Sequence, residues 1–315
     1  MKIVITDGFA VNPGDLSWDI FKQFGQVEIY EDTPNDLAAQ RIGDADIAII
    51  NKTLITEELL EQCPNLKLIC VAATGYNVVD CEATKKRNIP VCNVPGYGTA
   101  AVAQFTFSLL LELCNRVGHH DRLVHEGAWG NRGGFCFWDT PQTELNGKVL
   151  GIIGYGTIGQ AVGKIAEAFG MTVLAYNRSH SVEGANYVTL EELLQKSDIV
   201  SLHCPYTPET HQIINAQTIK QMKDGAILLN TARGGVINEE AVAEALRSGK
   251  LGGAAVDVVS SEPILETNPL YTAPNCIITP HMAWSPKESR QRIIDSMVRS
   301  IQGYLTGNPV HVVNM

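Results

Sequence analysis

Val149-Leu150-Gly151-Ile152-Ile153-Gly154-Tyr155-Gly156-Thr157-Ile158-Gly159 is a short apolar strand that runs straight into a G-x-G-x-x-G turn. Behind it, residues 160–169 read as a helix, because Ile158, Val162, Ile165, Ala166 and Phe169 recur at helical spacing and Gly170 stops the run. Residues 171–176 then give a second strand. This strand–turn–helix–strand setting is what a dinucleotide fingerprint requires. Gly154 allows the tight turn, Gly156 lets the backbone approach a pyrophosphate, and Gly159 lets helix and strand pack closely. The unsatisfied N–H groups and positive dipole end of the helix would hold the phosphates. Position matters as much as motif: a nucleotide-binding domain that starts here leaves a long N-terminal stretch to form something else.

That stretch alternates strands and helices. Strands are predicted over 3–5, 27–30, 47–50, 67–71 and 91–93, and helices over 18–24, 37–42, 57–62 and 79–87, so a parallel sheet with helices on both faces is expected. Residues 95–98 break the pattern, and Thr99 caps a long apolar helix over 100–116. Being rich in Ala, Leu and Phe, it should be buried on most sides, as a domain-linking or subunit-interface helix would be. Beyond the fingerprint, residues 198–203, 225–230, 254–257 and 276–279 are strand-like. Residues 286–305 form one amphipathic helix with Ile293, Ile294, Met297, Ile301 and Leu305 on its apolar side. There are no repeats and no low-complexity linker, so the two domains are expected to be joined by helices.

Composition bounds the partners. The 315 residues are 45% hydrophobic and 18% charged, an ordinary globular chain with room for about two domains. A net charge of −10 argues against nucleic acid or an anionic membrane surface. No apolar run approaches the ~18–20 residues of a membrane span. The start, Met1 to Gly8, is too short and meets an acid too early for a signal peptide, so a cytoplasmic protein is expected. Eight cysteines, none in a C-x-x-C pair, read as reduced core thiols rather than a zinc site or disulfide framework. His119-His120-Asp121 reads as a solvated helix end, since adjacent residues on a helix point apart. No metal is expected.

Polar residues stand at the ends of the late strands, where open α/β sheets bind ligands. Arg233 follows one strand, Asp257 and Glu262 follow the next, and His281 follows the last. Each alone reads as a loop residue; together, downstream of a dinucleotide fingerprint, they read as a catalytic edge.

With these motifs in order, the chain resembles the D-2-hydroxyacid dehydrogenase family, which includes glycerate dehydrogenases (hydroxypyruvate reductases), glyoxylate reductases and phosphoglycerate dehydrogenases. The resemblance covers nearly the whole length. It is carried by residues 73–80, the turn at Gly154, Leu202-His203-Cys204-Pro205, residues 230–235, Asp257 with Glu262 and Pro263, and Pro280-His281. It implies an α/β protein of two doubly wound parallel-sheet domains: a flavodoxin-like substrate domain (1–100 and 285–315) and an inserted Rossmann dinucleotide-binding domain (101–284), with the active site in the cleft between them. It further implies that Arg233, Glu262 and His281 are catalytic and that Thr74 and Gly75, with Arg233, bind the substrate carboxylate. Arg233 offers a planar multi-donor guanidinium. His281 would pass a proton to the oxygen that becomes the alcohol, and Glu262 would orient its ring and favour the imidazolium. The cofactor, NAD or NADP, would be lined by Thr74, Gly154, Gly156, Thr157, Ile158, Gly159, Asn177, Arg178, Ser179, His203, Cys204, Thr231, Ala232, Asp257, His281 and Ala283.

One departure from the pattern is informative. The acid expected about twenty residues past the glycines, which would bond the ribose of NAD and repel the extra phosphate of NADP, is replaced by Asn177-Arg178. Near-surface repulsion between unit charges ~4 Å apart is on the order of 4 kcal/mol. Its removal, with Arg178 as an available cation, favours NADP or tolerance of both. The resemblance makes hydroxypyruvate or glyoxylate the expected substrate. A phosphoglycerate dehydrogenase is expected to carry a regulatory domain beyond Met315, so one lacking that domain stays as an alternative reading. A corepressor that senses the dinucleotide on the same fold is the competing class, and the acidic charge and lack of long tails speak against it. Tyr76, Tyr97, Trp138 and Trp284 are expected to serve packing rather than a pocket. A homodimer is expected from the apolar helix after Thr99 and the aromatic segment ending at Trp138.

Overall fold

The computed structural model describes residues 1–178 and 183–315. In chain order the elements are β1 (Lys2–Ile5), α1 (Gly8–Val11), β2 (Gln26–Ile29), α2 (Ala38–Ile42), β3 (Ile47–Ile50), α3 (Glu57–Gln62), β4 (Leu68–Val71), α4 (Cys81–Lys86) and β5 (Val91–Cys92). Then follow α5 (Thr99–Asn115), α6 (Val117–His125), α7 (Ala128–Arg132), β6 (Val149–Ile153), α8 (Thr157–Ala168), β7 (Thr172–Tyr176), α9 (Leu190–Lys196) and β8 (Ile199–Leu202). The chain closes with α10 (Ala216–Gln221), β9 (Ala226–Asn230), α11 (Glu239–Arg247), β10 (Leu251–Val256), β11 (Cys276–Ile278) and α12 (Lys287–Leu305). Two compact units result: residues 1–98 with 284–315, and residues 99–283.

The first unit is a five-stranded sheet in the order β2-β1-β3-β4-β5, parallel throughout, which is the flavodoxin-like order. Because both faces are covered, β3 and β4 are buried at every position, and the apolar run replaces a polar alternation. Successive residues still face opposite sides. Ile3, Ile5, Ile47 and Ile49 pack with Ile293, Ile294, Met297 and Ile301 of α12. Val4, Ala48 and Ile50 pack with Ile42, Leu59, Leu60 and Ala83 from α2, α3 and α4. The helix expected over 18–24 is a 3-10 turn over Asp19–Phe24. The one expected from residue 79 begins at Cys81, because the Asp80 carboxylate accepts the Ala83 amide and caps it there.

The second unit is a six-stranded parallel sheet, β11-β10-β9-β8-β6-β7. Beyond β7, Tyr187 makes a lone parallel bridge to Ala175, a one-residue remnant of the edge strand that a dinucleotide fold carries there. Helix α5 buries Ala103, Phe107, Leu110 and Cys114 against Val162 and Ala166 of α8 and against the sheet. Phe107 stacks on Phe169 at 5.4 Å between ring centres. The other face is filled by Leu193, Leu194, Ile219, Val242 and Leu246. Five of the cysteines (63, 70, 92, 114 and 204) are buried.

The expectation of a solvated His119-His120 pair is corrected. Both rings turn to one acid: His119 Nε2 lies 2.9 Å from the Asp139 carboxylate, and His120 Nε2 lies 3.3 Å from it. Trp138, expected to pack, stands 64% exposed and Phe135 93% exposed. Tyr97 and Trp284, in contrast, pack edge to face at 6.1 Å.

Candidate active site

Every strand pair in the second unit is parallel, so the loops after β6, β7, β8, β9, β10 and β11 emerge at one edge. At that edge each glycine of the turn after β6 has its own physical reason. Gly154 sits at φ +97°, and a Cβ there would stand 2.4 Å from the Cys204 amide nitrogen. A Cβ on Gly159 would stand 2.4 Å from the Gly154 carbonyl oxygen. Gly156 differs. Its backbone is extended at φ −85°, it precedes α8 with no side-chain cap, and a Cβ would meet no protein atom within 4 Å. The protein's own packing does not demand glycine there, and the position is exposed. With Thr157 and Ile158 opening the 12-residue α8, the residues present fit a dinucleotide pyrophosphate.

The end of β7 is more tied down than the sequence suggests. The Tyr155 amide donates to Asn177 Oδ1 at 2.6 Å, and Asn177 Nδ2 donates to the Tyr187 hydroxyl at 3.1 Å. Asn177 therefore clips the glycine turn to the end of β7. Arg178 is not a waiting cation: its Nη1 lies 2.7 Å from Glu209 Oε2. Glu209, which no strand-end rule would have singled out, is an acid brought here by the loop after β8. Ser179 lies outside the described residues.

Further along the edge, His203 Nε2 pairs with Ser201 Oγ at 2.8 Å, and burial pushes the ring down to about 4, so it is neutral at physiological pH. Burial pushes the Cys204 thiol up to about 11, so it is no nucleophile. Thr231 Oγ1 lies 3.1 Å from Thr106 Oγ1. The Ala232 amide donates to Asn230 Oδ1, and Asn230 Nδ2 donates to the Arg233 carbonyl, so one buried side chain shapes the loop that ends in exposed Arg233.

The three late residues are held by backbone geometry. His281 lies at φ +52°, a left-handed conformation that costs a non-glycine residue about 1–2 kcal/mol. Asp257, 1% exposed, keeps it there. The Asp257 carboxylate accepts from Thr279 Oγ1 (2.6 Å), the Met282 amide (2.9 Å) and the Ala283 amide (2.8 Å), and the Asp257 carbonyl accepts the His281 amide (2.8 Å). Burial raises the Asp257 pKa, opposed by those hydrogen bonds. Asp257, expected to line the cofactor, is thus also the clamp of the histidine loop. His281 Nδ1 lies 2.7 Å from Glu262 Oε2. A carboxylate can only accept, so Nδ1 carries the hydrogen of that contact. Glu262 Oε1 in turn accepts the Val259 amide at 3.3 Å. A Cβ on Gly234 would stand 2.0 Å from the Val259 carbonyl carbon, so that glycine lets the Arg233 loop lie against the glutamate's loop. Arg233, Glu262 and His281 thus sit on three loops, two of which touch only because residue 234 has no side chain.

In the first unit, Thr74 and Gly75 follow β4. Thr74 Oγ1 donates to the Val94 carbonyl at 2.8 Å, and Asn93 Nδ2 donates to the Thr74 carbonyl at 2.8 Å, which fixes that loop.

A dinucleotide cradle sharing a sheet edge with a carboxylate-backed imidazole and an arginine is the equipment of an oxidoreductase. Comparison with known proteins gives the same class. Residues 107–283 match the family model "D-isomer specific 2-hydroxyacid dehydrogenase, NAD binding domain". A hydroxypyruvate reductase of Blautia hydrogenotrophica is 52% identical, with 100% of both chains covered. An acyclic imino acid reductase solved with NADPH and D-Arg superposes with a TM-score of 0.86 at 32% identity, covering 99% of this chain and 100% of that one. D-lactate dehydrogenase of Aquifex aeolicus, solved with NAD and lactic acid, gives 0.83 at 32% identity, covering 97% and 96%. The chain belongs to the D-isomer specific 2-hydroxyacid dehydrogenases. It is an oxidoreductase that uses a nicotinamide dinucleotide. Among the described residues no helix is long and apolar enough to cross a membrane.

Proposed function

We propose that this dehydrogenase reduces a small 2-keto acid, hydroxypyruvate or glyoxylate first among them, to the D-2-hydroxy acid. The observation that carries the reading is the 2.7 Å pairing of His281 with Glu262 at the edge that also holds the phosphate cradle. When bound, the reduced nicotinamide supplies a hydride to the keto carbon. His281 gives its Nε2 proton to the oxygen that becomes the alcohol. Glu262 holds the ring so that Nε2 faces the substrate, and Asp257 holds the loop that carries it. Arg233 pairs with the substrate carboxylate or keto oxygen, and the Thr74 and Gly75 amides grip the carboxylate. His203, Cys204, Thr231, Ala232 and Ala283 line the dinucleotide. His203 and Cys204 are both uncharged at neutral pH, so neither competes for the transferred proton.

The end of β7 is read as facing the adenosine ribose, and with no acid on that strand end NADP is accepted at least as well as NAD. Steady-state assays of hydroxypyruvate and glyoxylate with NADPH and NADH test both readings. Turnover of neither acid sinks the function, and a strong NADH preference sinks the cofactor reading alone.

The protein is read as a cytoplasmic homodimer. Val117, Trp129, Phe135 and Trp138 are all exposed on one stretch, more apolar surface than a monomer carries comfortably. Light scattering at micromolar concentration should return twice the chain mass, and a monomeric mass would count against the assembly.

A further inference from the structure

We propose that Glu209 sets dinucleotide specificity: it is the counter-ion of Arg178, and the 2′-phosphate of NADP has to displace it. The inference rests on the reading that the end of β7 faces the adenosine ribose. Arg178 follows β7 and Glu209 belongs to the loop after β8, while β6 lies between those two strands. Their 2.7 Å ion pair therefore spans the end of β6, the strand that feeds the glycine turn. That is the reversal point of the sheet, where open α/β folds bind their ligands.

Glu209 is held in place. The Thr210 hydroxyl donates to the Pro205 carbonyl at 2.6 Å, the Thr207 amide donates to Thr210 Oγ1 at 2.8 Å, and the His211 amide donates to the Thr207 carbonyl at 2.9 Å. The Thr207 hydroxyl and Arg178 hold the Glu209 carboxyl down at about 2, so it is ionised throughout the working pH range. Asn177 is already bonded to Tyr155 and Tyr187, and Arg178 is the cation among the described residues at this strand end.

The consequence differs for the two cofactors. A ribose 2′-hydroxyl carries no charge and leaves the pair closed. A 2′-phosphate must draw the guanidinium off Glu209 and then sit beside the freed carboxylate, so part of what Arg178 offers it is given up to competition and repulsion. Glu209 thus tempers, from a different loop, the advantage that a strand end without its own acid gives to the 2′-phosphate. Both side chains are 57% exposed, so the pair can open without unfolding anything.

The test uses fragments of the adenosine half. Binding of 2′,5′-ADP and of 5′-AMP is measured by calorimetry on the full-length wild type, Glu209→Gln and Glu209→Gln/Arg178→Ala, with melting temperatures as a fold control. Glu209→Gln should raise the affinity ratio of 2′,5′-ADP to 5′-AMP by about tenfold, the scale of one charge-assisted hydrogen bond. Adding Arg178→Ala should abolish the gain. An unchanged ratio, or a gain that survives loss of the arginine, overturns the proposal. If Glu209→Gln folds poorly, Glu209→Ala serves, with the same ratio as readout. A wild type that prefers 5′-AMP would count against NADP use and leave the counter-ion role standing, because that role is read from the change between variants.

Discussion

Replacing His281 by alanine is expected to lower kcat for the 2-keto acid by about 10²–10⁴-fold, the range lost with a positioned general acid. The physical reason is local. The ring is oriented because Nδ1 is fixed 2.7 Å from Glu262, and the backbone is fixed because Asp257 binds the residues on either side. The alanine variant keeps Asp257 and its hydrogen bonds, so its melting temperature should stay near the wild-type value. Glu262→Gln should cost less, about tenfold, since a side chain of the same length can still accept from Nδ1. A His281→Ala enzyme with near-normal turnover would remove the histidine from the chemistry.

The parts of this site that were legible in the sequence share one property: strand order does not matter to them. Buried parallel strands are apolar throughout, so Ile47–Ile50 and Leu68–Val71 announce themselves, and any polar residue following such a run falls at the ligand edge. Arg233, Glu262 and His281 were readable for that reason. Glu209 was not. It sits in the middle of a turn, seven residues after β8 ends at Leu202, and only the tertiary position of β7 gives it a partner. The clip between Asn177 and Tyr155 and the sharing of Asp139 by two histidines are long-range in the same way. Helices α9, α10 and α11 carry side-chain N-caps at Thr189, Asn215 and Asn238, yet the strand pattern alone implied them only as crossovers. The short turn at Asp19–Phe24 shows the limit of periodicity, since six residues cannot tell a 3-10 turn from an α-helix.

Two glycines of one motif should fail in opposite ways. Gly154→Ala places a Cβ 2.4 Å from the Cys204 amide nitrogen at φ +97°, a clash with unyielding backbone in a conformation that L side chains rarely adopt. It should destabilise the second unit by about 3–5 kcal/mol, which lowers the melting temperature by roughly 6–20 °C for a domain of this size. Gly156→Val meets no protein atom within 4 Å at its Cβ and keeps an extended backbone that valine adopts readily. Stability should therefore change by less than about 0.5 kcal/mol. If the proposed cradle holds the pyrophosphate, the added methyl groups fill the space it needs, and dinucleotide affinity should fall on the order of 100-fold. Thermal melts without cofactor, paired with fluorescence titration by the reduced dinucleotide, separate the two effects. If Gly156→Val melts as low as Gly154→Ala, the open space is needed for packing. If it binds the dinucleotide at wild-type strength, the pyrophosphate lies elsewhere and the cradle has been misplaced.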